Sequence, residues 1–423
     1  MVCGMVLVMR LERMTGGLRS DIPRALAIAV LLTGCGGDAK AVGPDVSRIN
    51  LSLDQVIFTQ VAQDERGSLA LVAGAPASAK VTIVRTVETV DEVAVVLRLF
   101  RGGVLVHTDT ARTGGVLGPS RSLQNASAEF LVPGALVAAD VSWQVALDPR
   151  QRSTDSTRAD NVLPALLPAP LHIVELRPIR IRLVPVILTA HGDVSGDVTA
   201  VSAEAYVRFA RQLFPSRAFA VTVGAPVRSA AFAGAPPVGG DRGFWWNVLG
   251  DVDRARAADR AGDELWYGVV TRPDGYERFK FGGFAYIPTD PLSTQTGTRT
   301  AAGLGVTSAG SVRGAQYLVA HELGHLLGRS HAPGCGAPAP IDSLYPGGLG
   351  SIAGLGHDVW SWSAGVARHA SSVGADATDV MSYCQPSTIW IGPYTHGNLI
   401  RWRAVDGMVT RQAAIVGPPV ALP

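Results

Sequence analysis

Between about Asn50 and Pro168, apolar and polar side chains alternate in short β-branched runs, among them Lys80-Val81-Thr82-Ile83-Val84-Arg85 and Ala94-Val95-Val96-Leu97-Arg98-Leu99-Phe100. A period of two puts successive side chains on opposite faces, which is the pattern of strands with one face buried. Arg101-Gly102-Gly103 and Thr113-Gly114-Gly115 interrupt these runs at the close spacing of antiparallel strands. Residues 50–150 are therefore expected to form an all-β, immunoglobulin-like sandwich. The polar run from Asp148 to Asn161, followed by Pro164, Pro168 and Pro170, lacks apolar periodicity and predicts a linker over residues 151–170.

Beyond Leu171 the period changes. Ile179 to Thr189 predicts a strand, and Ser202 to Leu213, with Ala205, Val207, Phe209, Ala210 and Leu213 at helical spacing, predicts a helix. Val312 to Ala320 is helix-compatible, and Tyr394 to Val405 predicts a last helix. This mixture suggests a second, α+β domain over residues 171–423, so the fold class expected is multidomain, an N-terminal all-β sandwich followed by an α+β domain.

Composition narrows the function classes. The chain has 423 residues, 47% hydrophobic and 17% charged, which is ample for packed cores and excludes global disorder. Basic and acidic residues number 37 and 35, and only Lys40, Lys80 and Lys280 are lysines. Without a basic patch or stripe there is no electrostatic case for nucleic acid. Four cysteines, Cys3, Cys35, Cys335 and Cys384, are too few for a disulfide-framework domain.

Of the possible starts Met1, Met5, Met9 and Met14, the last gives a leader with the physical layout of an export signal: Arg19 and Arg24 form a basic region, Ala25 to Leu32 an apolar one, and Leu32-Thr33-Gly34-Cys35 a small-residue cleavage site. Eight apolar residues cannot span a bilayer, which needs about 20. The stretch resembles a bacterial lipoprotein signal. That resemblance implies removal of residues 1–35 up to a lipidated Cys35, a tether over 36–49, and attachment to the cell envelope outside the cytoplasm; an ordinary secretory signal or a short buried helix are the alternatives.

The densest chemistry lies in His321-Glu322-Leu323-Gly324-His325-Leu326-Leu327-Gly328-Arg329-Ser330-His331. Residues four apart share a helix face, so His321 and His325 can present two imidazoles to one ion. A catalytic zinc usually has three protein ligands and a water. Gly328 can end the helix at positive φ and turn the chain so that His331 becomes the third ligand. Glu322, beside His321, is placed to serve as general base.

These positions match the extended motif H-E-x-x-H-x-x-G-x-x-H of the metzincin metallopeptidases. Asp379-Val380-Met381-Ser382-Tyr383-Cys384, about fifty residues further on, resembles their Met-turn. The resemblance implies one catalytic Zn2+ held by His321, His325 and His331, Met381 as the floor of the site, and Tyr383 as an auxiliary catalytic group. It also implies peptide-bond hydrolysis, with a zinc-bound water acidified toward about 7 and deprotonated by Glu322. The β-sandwich, the Asp-Val-Met-Ser-Tyr-Cys turn and the Trp-Ile-x-x-Tyr-Thr tail are similar to secreted bacterial metzincins of the mucin-degrading group, which would make glycoproteins as well as proteins candidate substrates.

Cys335 and Cys384 flank this site and are expected to form a disulfide, with free thiols or a second metal site as alternatives. Phe284 to Pro288 or Gly303 to Val306 are candidate edge strands for an extended peptide. Loops such as Tyr345-Pro346-Gly347-Gly348-Leu349-Gly350 are candidates for specificity. Ile389-Trp390-Ile391 could wall the pocket or pack under the last helix, while His107, His357, His369 and His396 read as surface or packing residues, and Trp245, Trp246, Trp266, Trp360 and Trp362 as packing or sugar-stacking groups. No Asp-rich loop supports calcium. A monomeric, envelope-tethered endopeptidase is the leading expectation. The alternative is an adhesion or glycan-binding lipoprotein with a degenerate zinc domain.

Overall fold

The computed structural model describes residues 50–85, 92–113, 126–153, 155–231, 242–274, 281–291, 297–367, 371–384 and 388–415. Cys35, the signal and tether stretches, and His369 lie outside the described residues. The chain is β-rich, with five α-helices among the described residues, all of which fall in one compact unit beginning at Asp45. No described helix is long and apolar enough to cross a membrane.

In the front region the alternating runs become two antiparallel sheets. Leu51–Thr59, Ala77–Arg85 and Ala128–Val132 form one. Val93–Arg101, Val104–Thr113 and Val141–Leu147 are the long strands of the other, with Val93–Arg101 between the other two. Leu51, Ile83, Leu97, Leu99, Phe130 and Val145 from the two sheets are buried in one core. Gly102 and Gly103 both take positive φ, 56° and 81°, the conformation a two-residue hairpin turn needs to match strand twist.

Within the stretch expected as linker, Val162–Leu163 and Ala169–Pro170 pair with Val141–Leu147. Two-residue strands are too short to show a period, so they are invisible to pattern reading.

The back region is built on a seven-stranded sheet. Ile179–Leu188 lies inside it, parallel to Phe219–Val223, Val227–Ser229 and Leu265–Val270. Leu265–Val270 continues in parallel to Thr300–Leu304, and Gly283–Ala285 closes that side as an antiparallel edge. Alternate residues of Ile179–Leu188 serve opposite cores: Ile181 and Leu183 meet the helices Ala203–Leu213 and Val312–Leu326, while Val184 and Val186 meet the helix Arg242–Ala258. Thr300–Leu304 is paired on both sides, so of the two candidate edge strands only the one containing Phe284 has a free edge among the described residues.

The two regions are joined through backbone. Ala62–Gln63 pairs with Leu355–Asp358, Ile173–Val174 with Leu71–Val72, and Trp390 Nε1 donates to Val61 O at 2.9 Å. Val61 and Ala62, although N-terminal in sequence, are buried in the core that carries the Val312–Leu326 helix. Trp390 and Ile391 are buried there too, which makes them packing residues.

Candidate metal centre

The Val312–Leu326 helix starts where the Ser311 side chain accepts from Gly314 N at 3.0 Å, capping a free backbone donor. Ala315, Val319, Ala320, Leu323 and Leu326 bury its inner face. The helix ends in a Schellman turn: Gly328, at φ 75°, donates to His325 O at 2.9 Å, and Arg329 N donates to Gly324 O at 3.0 Å. The left-handed conformation is what glycine supplies here, and a Cβ at Gly328 would also run into the Trp402 ring.

That turn returns the chain to the site. Ligand-forming atoms of His321, His325 and His331 all lie within 4.8 Å of one another, so the three could hold a metal ion. Each imidazole is oriented by a backbone carbonyl: Nδ1 of His321 contacts Val380 O at 2.8 Å, Nδ1 of His325 contacts Arg329 O at 2.6 Å, and Nδ1 of His331 contacts Pro338 O at 2.8 Å. A carbonyl only accepts, so each Nδ1 carries the proton and each Nε2 presents a lone pair. Nε2 of His325 and Nε2 of His331 then face each other at 3.1 Å with no proton to share. Two opposed lone pairs repel, and a cation between them turns the repulsion into ligation. The donor set fits a zinc ion.

Electrostatics agree. Burial, then repulsion from His331, lowers the pKa of His321 to about 4, with the Val380 carbonyl opposing; burial and the neighbouring imidazoles hold His325 well below its ordinary value; burial lowers His331 as well. Neutral imidazole is the form that binds metal. Glu322 is buried, its Oε2 has no hydrogen-bond partner, and burial pushes its pKa well above the ordinary carboxylate value. A nearby cation reverses that push and favours the ionised base.

Below the helix, Met381 is buried and Gly324 lies against it, for a Cβ at Gly324 would strike Met381 Sδ. The turn is clamped by Asp379, whose Oδ1 accepts from Met381 N and whose Oδ2 accepts from Gly392 N, each at 2.9 Å. Ala332 N donates to Met381 O at 3.0 Å, which ties the turn to the segment just after His331. Tyr383 stands over the histidines, its ring 4.9 Å from that of His331 and 5.8 Å from that of His321. Cys335 and Cys384 are joined as a disulfide across 49 residues of sequence.

A cleft of about 350 Å³ opens onto these groups, lined by the three histidines, Glu322 and Tyr383 on one side and by the edge strand on the other. Gly283 of that strand is where glycine matters most. A Cβ there would lie 2.7 Å from Glu322 Oε1, so only the bare backbone lets the strand approach the carboxylate. Of the long stretch between His331 and Asp379, only Pro338, Ala339 and Pro340 line the cleft among the described residues; Tyr345 instead donates to Ser351 O at 2.7 Å and packs against Tyr394. His357 and His396 are buried away from it.

Pattern reading missed Gly324, Gly283, Asp379 as a clamp, and the carbonyls of Val380, Arg329 and Pro338. Gly324 occupies an unrestricted position of the motif, and every residue has a carbonyl, so composition holds no signal for either. A glycine in a short strand, as at Gly283, is the one cue the sequence carries.

No family model matches the chain, and no curated protein matches it. Among solved structures it is similar to a CARDB domain from Pyrococcus furiosus in complex with di-metal ions, at 11% identity over 30% of this chain and 96% of that one, with a TM-score of 0.20. It is also similar to the β-glucuronidase of Parabacteroides merdae (9% identity, 55% of this chain, 30% of that one, TM-score 0.17) and to a cycloisomaltooligosaccharide glucanotransferase of Paenibacillus sp. (14%, 56%, 31%, 0.17). The chain therefore spans less than a third of each of those two enzymes. At such TM-scores none of these likenesses bears on the fold or the site.

Proposed function

We propose that the protein is a zinc-dependent endopeptidase of the metzincin type, acting on extracellular proteins or glycoproteins. The observation that carries the reading is the set of three Nε2 lone pairs, fixed by three Nδ1–carbonyl contacts, beside a buried carboxylate with an unpartnered oxygen. His321, His325 and His331 would hold the zinc, which when bound supplies Lewis acidity toward a water and the scissile carbonyl. Glu322 takes a proton from the attacking water through Oε2 and passes it to the departing amine nitrogen as the C–N bond breaks. Gly283 and Ala285 hold the peptide backbone along the free edge of their strand, and burial of the histidines and Glu322 keeps bulk water from competing for their hydrogen bonds. The Tyr383 hydroxyl, on a ring against His331 and His321, is assigned to the developing oxyanion.

The two front sheets with their shared core support the immunoglobulin-like reading of that region, as a spacer or binding module. Cys35 is proposed as the lipid anchor to the bacterial envelope.

Glu322→Ala is expected to retain one zinc per chain by elemental analysis while hydrolysis of a protein panel falls by about 10³-fold or more, the scale of losing a general base. His331→Ala is expected to lose the zinc itself. Full activity of the Glu322 variant, or full zinc in the His331 variant, would overturn the proposal.

A further inference from the structure

The helix Arg242–Ala258 presents two adjacent tryptophans to different surroundings. Trp245 is fully buried and donates from Nε1 to Phe281 O at 3.2 Å, anchoring the helix to the segment that leads into the edge strand. Trp246, about 100° further around the helix, is 46% exposed and lines the cleft. Its ring meets Phe284 at 5.0 Å and Tyr286 at 5.3 Å, and Phe284 meets Phe281 at 6.0 Å. Tyr286 is backed by Gly297, where a Cβ would collide with the ring. These aromatic rings form a shelf beside the edge strand, held from behind and open in front.

Phase along the strand decides what the shelf meets. Leu304 N donates to Gly282 O at 2.8 Å, so residue 282 and, two further on, Phe284 direct backbone groups into the sheet. Gly283 and Ala285 therefore offer theirs outward, where an extended peptide can pair. Side chains alternate too: Ala285 packs toward the core of the Val312–Leu326 helix, Phe284 and Tyr286 toward the opposite core. A peptide paired with the free edge alternates in the same way. Side chains in one phase are directed to the face that holds Glu322, and side chains in the other phase are directed onto Trp246, Phe284 and Tyr286.

We infer that this shelf is a specificity subsite for an aromatic or large aliphatic side chain of the substrate peptide, one strand position out of phase with the side chains directed to the Glu322 face; the inference rests on the endopeptidase reading. The lining favours such a side chain over a sugar. Outside the histidines, Glu322 and Tyr383, the polar side chains on the cleft are Arg242, whose guanidinium lies 5.6 Å from the Phe281 ring centre, and Tyr286 itself. Among the described residues no Asn, Gln, Asp, Ser or Thr lines it to read ring hydroxyls.

The test uses the zinc-loaded full chain, Trp246→Ala and Tyr286→Leu on a peptide library with one randomised position in an Ala-rich background, read by mass spectrometry. The wild type is expected to select Phe, Tyr, Trp, Leu or Met at one fixed distance from the cleaved bond. Trp246→Ala should lower kcat/KM on those peptides about tenfold, through KM, and leave peptides with Ala or Ser at that position within about twofold. Tyr286→Leu should act in the same direction, more weakly. A second arm measures fluorescence anisotropy of labelled Phe-bearing and Ala-bearing peptides on Glu322→Gln, with and without Trp246→Ala. An equal loss on every peptide, or an unchanged selection, overturns the subsite while the endopeptidase reading stands. Absence of any cleavage overturns that reading, and a persisting Phe-over-Ala binding difference that Trp246→Ala erases leaves the shelf standing. Absence of both overturns both.

Discussion

Two buried polar settings in this chain differ in how completely they are paired. In the front region Lys80, 3% exposed, meets Glu129 at 3.1 Å, and Ser78 donates to the same carboxylate at 2.6 Å. Asp148, also buried, accepts from Arg152 N, Ser153 N, Ser153 Oγ and Arg158. At the candidate metal centre three imidazoles point lone pairs at one another and Glu322 keeps an oxygen without a partner. Burying a polar group without compensation costs free energy, so a chain retains such an arrangement where something else completes it. Pairing is complete in the first setting, and in the second the convergent incompleteness is what the proposed zinc would complete.

Perturbing each setting should therefore give a different signature. The largest stability effect is expected from Cys335→Ser with Cys384→Ser, which opens a loop of 49 residues; the chain-entropy estimate is about 4 kcal/mol, and because the bridge braces the Met-turn, zinc retention under chelator challenge should fall with the melting temperature. Unchanged zinc retention would separate the bridge from the site.

Lys80→Met comes next. It strands Glu129, whose side chain is 18% exposed and can recover some hydration, so a loss of about 2 kcal/mol in denaturant unfolding is expected, with zinc stoichiometry and activity per folded molecule unchanged. A change in metal content would break the distinction between the two settings.

The smallest effect at neutral pH lies where the regions join. His357 is fully buried, neither ring nitrogen has a hydrogen-bond partner, and its backbone N donates to Val61 O at 2.6 Å. Burial, reinforced by the positive charge of Lys80, lowers its pKa to about 3 from an ordinary 6.5. The unfolded chain takes up a proton as pH drops through 6.5 while the folded chain does not, so stability falls with acidity from about pH 6.5 toward pH 3 by at most about 1.4 kcal/mol per pH unit for this one group. His357→Phe should flatten part of that slope and leave neutral-pH activity intact. An unaltered slope would assign acid sensitivity to the other buried histidines, His396, which burial holds at about 4, and His321, His325 and His331.

Much of the fold and the site is legible in the sequence because its determinants are local. Alternation in Ala94 to Phe100 depends on neighbours two residues apart, and His321, Glu322 and His325 share a helix face through spacing alone. Gly328 announces the turn that returns His331. Other features depend on residues far apart in sequence. Nothing in Ala62-Gln63 shows that they will pair with Leu355–Asp358, and nothing in Trp246 shows that it will lean on Phe284, since both depend on where the intervening sheet directs the chain.

The sequence by itself determined the three histidines, their order, the carboxylate beside them and the glycine that ends the helix, because a helix and its cap are set by contacts within a few residues. Only the tertiary structure decided which ring nitrogen His321 and His331 present, since the carbonyls of Val380 and Pro338 reach them through separate turns of chain. It likewise decided which strand is left with a free edge and that an aromatic shelf stands beside it. Pairing at long sequence separation is a property of the whole packed chain, and no local pattern encodes it.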